Sequence, residues 1–470
     1  MSGTSFSPIA HATAMRNGGF WKDHQFDEFL TATTVATPDK PAIVADSGGA
    51  QKRISWRELE NMTARAAASL RRLGLRRGDI VAMQSPTWWE AVVLTLACLR
   101  TGVVINPLMP IFREHELTFM LGFAEAKAFV VPKSYAGFDF EAMANELKAK
   151  LPALQHVIVT RGDGANSFDA LLLGGDERLT ASSLPATEAP RTDEMSVLMY
   201  TSGTTGSPKG VMHTVNTLMC CVDNIASRGK LAETDVILIA APIGHMIGFA
   251  AGLLLSVRRG ATMVLQEAWN GKRGVELIVQ EGVSYSAGAT PYLSDICEVS
   301  ATAPQKPSGL RLFLCAGAPI PPALIERAGR ELDLRVTSVW GMTETLANTM
   351  TEPELAFEKS AKTDGRPLDG SEVKVVDPDG KRLPNGTIGK LMVRGAQMLI
   401  GYYKRPDIEL FDAEGWMDTG DLAYMDDEGY IRIAGRTKDI IIRGGENVPV
   451  ADIENVLYEH PAVLAVAVVG

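Results

Sequence analysis

Ten consecutive residues, Thr201-Ser202-Gly203-Thr204-Thr205-Gly206-Ser207-Pro208-Lys209-Gly210, hold five hydroxyl side chains, three glycines and one lysine. Hydroxyls and bare backbone N–H groups are what a chain needs to wrap phosphate oxygens, and glycine lets the backbone come close to them. The run from 195 to 200 (MSVLMY) ahead of it reads as a buried strand. The chemistry this predicts is capture of a nucleoside triphosphate. The string is not a Walker A loop, because Lys209 follows Pro208 and precedes Gly210. Nor is it a dinucleotide-binding G-x-G-x-x-G turn. Composition alone also admits a flexible polar linker between two domains.

Further along, Ser338-Val339-Trp340-Gly341-Met342-Thr343-Glu344-Thr345 follows a strand pattern. With Gly341 as a turn glycine, Glu344 can hold Mg²⁺ through one carboxylate oxygen, leaving phosphate and water to complete the shell. Thr343 can donate to a phosphate, and Trp340 offers an aromatic face to a base. The plain alternative is a turn with a solvated glutamate and a core tryptophan. Cys315-Ala316-Gly317-Ala318-Pro319 is small enough for a flat base to lie against the backbone, or is simply a turn. Trp416-Met417-Asp418-Thr419-Gly420-Asp421-Leu422 places acids beside a glycine turn. One carboxylate there can accept from both ribose hydroxyls, the alternative being an Asx-type turn.

The ten-residue string as a whole resembles the phosphate loop of the acyl-adenylate-forming enzymes: acyl- and aryl-CoA ligases, peptide-synthetase adenylation domains and firefly-luciferase-like enzymes. The other segments stand in the family's order between 201 and 447. The resemblance implies that Thr201, Ser202, Gly203, Thr204, Thr205, Gly206 and Lys209 hold the triphosphate. It implies that Ala316, Gly317 and Ala318 line the adenine with Trp340, Gly341 and Met342. The family usually has tyrosine where Trp340 stands, so the chain keeps a stacking face and loses a hydroxyl. The ribose role falls to Asp421, not Asp418. Arg436 would reach the ribose or phosphates, and Lys438 occupies the hinge pivot. Gly444-Gly445-Glu446 would enter the site from the coenzyme A side when a lid domain rotates. Thr201, Lys209, Thr343 and Glu344 would form the catalytic set, with Mg²⁺ as cofactor and ATP and coenzyme A as co-substrates.

The acid is selected elsewhere. His245 sits in Ala241-Pro242-Ile243-Gly244-His245-Met246-Ile247-Gly248-Phe249. A lone histidine among apolar residues is usually structural, whereas the resemblance places this one at the border of the carboxylate and acyl pocket. It is a binding residue in this reading, not a general base. The remaining pocket candidates are Ile247, Gly248, Phe249, Gly288, Ala289 and Met342, which suit an uncharged tail. The APIGHMIGF and GATPY stretches look like those of medium-chain fatty acid and cyclohexanecarboxylate CoA ligases. A peptide-synthetase-type adenylation domain and a non-catalytic nucleotide-binding protein are the competing readings. The latter arises because the family's C-terminal lysine, which contacts the carboxylate and α-phosphate, lies beyond position 470. On that ground the chain is expected to bind ATP or an adenylate and to adenylate poorly.

These residues need a scaffold, and the chain writes one. Ser55-x-x-Glu58 is a capping box opening a helix with Leu59, Met62, Ala66, Leu70 and Leu73 on one face, closed by Gly74. A strand at 80–84, a helix near 88–100 and a strand at 103–106 follow βαβ logic. A second α/β run spans about 235 to 340, with strands near 236–240, 262–265, 285–287, 312–315 and 335–339. From about Pro367 short strands are broken by Pro378-Asp379-Gly380 and Pro384-Asn385-Gly386, the texture of a small β-barrel or sandwich. A strand at 439–443, a helix at 451–459 and a strand at 463–469 follow. The expected fold is α/β. A large N-terminal domain (1–436) comprises two α/β subdomains to about 365 and a β-barrel over about 366–436. Residues 437–470 are the hinge and truncated start of a C-terminal α+β lid, since an uncovered final strand suggests a longer protein.

Bulk properties exclude other classes. With 470 residues, several structural units are expected. A net charge of −10 with no basic block argues against nucleic acid. The five cysteines show neither metal spacing nor a disulfide framework, and no secretory signal opens the chain, so the cytoplasm is the expected setting. The uncharged stretch from Ile237 to Val257 is long enough to span a bilayer. Pro242, Gly244, His245 and Gly248 in its first half make it a strand end, a loop and a buried helix instead.

Overall fold

The computed structural model describes residues 8–201, 208–318, 320–437, 441–443 and 446–448, together with positions 457, 463 and 468. The chain divides into two compact units, one formed by 22–287 and 399–406, the other by 1–21, 288–398 and 407–470.

The first unit is built on parallel strands joined by helices. One sheet runs, in spatial order, Gly401–Tyr402, Lys209–Thr214, Met195–Thr201, Val104–Leu108, Ile80–Gln84, Ala128–Pro132 and His156–Thr160. Its last five strands are parallel to one another, and the two at the other edge pair antiparallel. Ile80–Gln84, Val104–Leu108 and Ala128–Pro132 are buried along their whole length, as expected of strands covered on both faces. The helix Trp56–Arg72 begins where expected. Ser55 Oγ accepts from Glu58 N–H, and Glu58 Oε2 accepts from Ser55 N–H at 2.7 Å. Leu59, Ala66 and Leu70 are buried, Met62 and Leu73 only partly, and Gly74 follows at φ 86°. A second run of strands in this unit is ordered Tyr285–Gly288, Val236–Ile239, Thr262–Gln266, Pro41–Ser47 and Ala50–Ser55, with only the last pair antiparallel.

The stretch from Ile237 to Val257 resolves as anticipated into the end of the strand Val236–Ile239, a loop, a π-helical segment Ile247–Leu254 and an α-helical turn Leu255–Arg259. Among the described residues no helix is long and apolar enough to cross a membrane.

The second unit carries the strands Leu312–Ala316 and Arg335–Met342, parallel, followed by Leu346–Met350 and Arg366–Pro367, antiparallel. Residues 371–436 form an antiparallel sheet ordered Ser371–Val376, Gly389–Gly395, Met417–Met425 and Ile431–Arg436. Alternate residues of its strands are buried, the period-2 pattern of a half-covered sheet. Ile441–Arg443 pairs with Glu446–Val448. The expected strand 439–443 is described over 441–443, and of the proposed helix 451–459 and strand 463–469 only position 457, which is helical, and positions 463 and 468 are described. All five cysteines are free and buried.

Candidate active site

Two departures from the sequence reading set the geometry of the second unit. Gly341 is not a turn glycine. It lies inside the strand Arg335–Met342, paired with Ala347, with a register irregularity between Trp340 and Gly341. The turn is the next three residues, Thr343, Glu344 and Thr345, the tip of a hairpin closed by Leu346 in the left-handed region at φ 53°. Met342 N–H donates to Thr345 Oγ1 at 3.2 Å, Thr345 N–H to Met342 O at 3.2 Å, and Asn348 Nδ2 to Thr345 O at 2.7 Å. The tip is therefore held from both sides. Glu344 is only 7 % exposed, which excludes the solvated glutamate of the plain reading.

Asp421 likewise is not in a turn. It lies within the strand Met417–Met425, directly opposite Arg436 on the strand Ile431–Arg436. Gly420, at φ 75°, bends the strand just ahead of it. Asp418 Oδ1 accepts from Gly420 N–H at 2.9 Å, so the Asx-type contact belongs to Asp418. Asp421 is instead 9 % exposed, and its Oδ2 accepts from Trp340 Nε1 at 2.9 Å. Arg436 Nε stands 3.5 Å from Asp421 Oδ1. Burial raises the Asp421 pKa above the usual aspartate value, while the indole hydrogen bond and the guanidinium charge oppose the rise. The pairing of Trp340 with Asp421 was not foreseen, because a strand sequence does not reveal which distant carboxylate its indole meets.

Ala316 ends the strand Leu312–Ala316 in register with Val339, one residue before Trp340. Gly317, at φ 86°, and Ala318 continue from there and are exposed. Small residues thus leave the sheet at its carboxyl end beside Trp340, the end where ligands of α/β sheets bind. Asp364 was also missed. Its carboxylate accepts from Ile433 N–H at 2.8 Å and from Ser338 Oγ at 3.4 Å, lies 3.5 Å from Arg432, and has its pKa raised by burial. The signal available was Asp364-Gly365-Arg366-Pro367, an acid at the point where the strand texture changes.

On the first unit, Thr201 ends one strand and Lys209 begins the next, and the two pair antiparallel. The phosphate-loop candidates Ser202, Gly203, Thr204, Thr205 and Gly206 between them lie outside the described residues, as do Lys438, Gly444 and Gly445. Glu446 opens the strand Glu446–Val448. Lys209 Nζ sits 5.0 Å from the centre of the Tyr402 ring, and Tyr402 belongs to the strand paired with Val211. A cation over a phenol face gains about 0.5–2 kcal/mol. Tyr402→Leu is therefore expected to weaken ATP-dependent turnover about threefold through Lys209, with Tyr402→Phe near wild type. Steady-state kcat/KM for ATP checks this, and equal effects of the two variants would overturn it.

His245 lies in the loop ahead of the π-helical segment. Its Nδ1 accepts from Ile247 N–H at 3.2 Å, so the neutral ring carries its proton on Nε2. Part of the residue reaches solvent, while the surrounding chain withdraws water from the ring and lowers its pKa below 6.5. A histidine depressed in the folded state binds its proton more readily when unfolded. Stability is thus retained above pH 6.5 and lost as pH falls from there through the folded pKa. His245→Gln is expected to flatten this acid slope, measured by urea denaturation between pH 7.5 and 5.5. A Cβ on Gly248 would lie 2.4 Å from the carbonyl oxygens of Ala241 and Pro242, so only glycine lets the helix approach this loop. Ile247 is partly exposed and Phe249 is fully buried. Gly288 ends the strand Tyr285–Gly288, and Ala289 caps the helix Thr290–Thr302.

The family described as AMP-binding enzyme matches residues 30–403. The medium-chain fatty-acid–CoA ligase of Escherichia coli K12 is 34% identical, over 97% of this chain and 80% of its own length. A salicylyl-CoA synthase/salicylate adenylyltransferase from Streptomyces is 31% identical, over 98% of this chain and 84% of its own. Among solved structures, O-succinylbenzoate coenzyme A synthetase from Bacillus subtilis, in complex with ATP and magnesium ion, superposes with a TM-score of 0.79 at 29% identity, over 93% of this chain and 85% of that one. The fold is that of the adenylate-forming enzymes, and this chain belongs to the AMP-binding enzyme family as a member of acyl-CoA synthetase type.

Proposed function

We propose that the protein joins a medium-chain fatty or alicyclic carboxylic acid to coenzyme A by way of an acyl-adenylate. A carboxylate oxygen attacks the α-phosphorus of ATP, and the bond to the bridging oxygen breaks with departure of pyrophosphate. The CoA thiolate then attacks the acyl carbonyl and expels AMP. The observation that carries the reading is the buried Asp421 carboxylate held by Trp340 and faced by Arg436, on the unit that also carries the Glu344 hairpin.

In this reading Asp421 accepts from the ribose hydroxyls, and Arg436 reaches the ribose or phosphates. Trp340, with Gly341, Met342 and the Ala316-Gly317-Ala318 turn, borders the adenine. Thr201, Lys209 and the loop from Ser202 to Gly206 hold the departing pyrophosphate, and Thr343 donates to the α-phosphate. Bringing two anions together is the physical problem, and fixed donors and positioning answer it. Among the described residues no three His, Cys, Asp or Glu side chains cluster as a metal cage. A single buried carboxylate fits a Mg²⁺ that takes its remaining ligands from phosphate and water. Glu344 would hold it, and the ion would neutralise charge on the phosphates. Residues 1–436 would form the adenylating domain and 437–470 the hinge and lid segment, pivoting at Lys438 and bringing Gly444-Gly445-Glu446 to the CoA side.

His245, Ile247, Gly248, Phe249, Gly288, Ala289 and Met342 would line the acyl pocket, and its apolar character supports an uncharged tail. The name of the Escherichia coli relative supports a medium-chain acid, whereas the Streptomyces relative supports an aromatic one. AMP release by the complete protein across a panel of acids, with and without CoA, separates them. Straight-chain and cyclohexane acids are expected to be fastest, with thioester formed only when CoA is present. Faster turnover of hydroxybenzoates would transfer the reading to aromatic acids, and no AMP from any acid would end it.

A further inference from the structure

We propose that Trp340 is a positioning residue for ribose recognition: its indole N–H ties down one oxygen of Asp421 so that the carboxylate presents a fixed acceptor edge to the sugar. The inference rests on the reading of Asp421 as the ribose acceptor. An indole has a single polar atom, a donor. Here that donor is buried and spends itself on Asp421 Oδ2 at 2.9 Å. Trp340 is 8 % exposed and Asp421 9 %, so water does not substitute readily for either partner. The Asp421 main chain is fixed as well. Its N–H donates to Thr419 Oγ1 at 3.1 Å, while Gly420 O accepts from both Thr437 N–H at 2.9 Å and Thr437 Oγ1 at 3.0 Å. The remaining freedom of the carboxylate is rotation about its two side-chain bonds, and the indole bond to Oδ2 restrains both. Oδ1 is left facing Arg436, whose side chain is 66% exposed. An ionised, non-rotating carboxylate discriminates a sugar bearing both hydroxyls from one lacking either, because the missing partner leaves a buried acceptor unpaired. Burial works against ionisation of Asp421 and the indole bond works for it.

The test compares kcat/KM for ATP, 2′-deoxy-ATP and 3′-deoxy-ATP in the AMP-forming reaction. Four proteins are needed: wild type, Trp340→Phe, which keeps an aromatic face and lacks the N–H, Asp421→Asn, and the double variant. Trp340→Phe is expected to narrow the preference for ATP over the deoxynucleotides about tenfold, the scale of a hydrogen bond to a charged group. It should also move the acid limb of kcat/KM for ATP to higher pH. Asp421→Asn should narrow the preference at least as much, and the double variant should add little to it. If Trp340→Phe does not fold, replacement of Trp340 by benzothienylalanine, which keeps the bicyclic shape and has sulfur in place of N–H, carries the same comparison. A wild-type preference in the Trp340 variant, with the preference narrowed by Asp421→Asn, would overturn the inference and leave the ribose assignment standing. A wild-type preference in Asp421→Asn would overturn both.

Discussion

Glu344→Gln is expected to lower acid-dependent AMP formation by about 10²-fold or more while leaving the fold intact. The change is close to isosteric, and the hairpin that carries Glu344 at its tip is held by the bonds of Met342, Thr345 and Asn348. What it removes is a negative charge from a position only 7 % exposed. A buried charge is costly unless a cation or strong donors meet it. In the proposed site that cation is the Mg²⁺ accompanying ATP, so the loss should appear in kcat and be partly offset by raised Mg²⁺. Thermal unfolding should show that the variant remains folded at the assay temperature. Activity within threefold of wild type at limiting Mg²⁺ would take Glu344 out of the machinery.

Gly341→Ala is expected to destabilise the second unit by about 3 kcal/mol or more and to abolish adenylation. The added methyl carbon would lie 1.8 Å from the carbonyl oxygen of Leu346, and that oxygen belongs to backbone. Relief requires the strands Arg335–Met342 and Leu346–Met350 to part, and Trp340, Thr343 and Glu344 all hang on that pairing. Urea denaturation measures the first effect and nucleotide binding the second. A variant with the wild-type denaturation midpoint would mean that the hairpin opens without cost. One that binds ATP normally would mean that the site does not depend on this register.

Much of the scaffold could be read from local chemistry. The capping box at Ser55 and Glu58 and the buried parallel strands at 80–84 and 262–266 follow from caps, periodicity and composition, which act over a few residues. The helix following Gly248 was equally legible, because proline and glycine break a span that hydropathy alone would have allowed. The errors share one cause. Gly341 and Gly420 were read as turn glycines, and both lie inside strands. Glycine also marks places where a backbone passes very close or where a strand bends, and a sequence does not distinguish these uses.

The nature of the chemistry was settled by the linear sequence. Hydroxyls, glycines and a lysine in one loop fit phosphate because those groups are chemically suited to it in any arrangement, and Glu344, Asp421 and Arg436 add the acids and the cation. Which of these groups act together is decided by tertiary structure alone. Asp421 and Arg436 become a cross-strand pair only through the register of two antiparallel strands. Asp421, not Asp418, becomes the buried acid because an indole 81 residues away reaches it. Register and burial are summed over whole sheets, so no local stretch of sequence carries them.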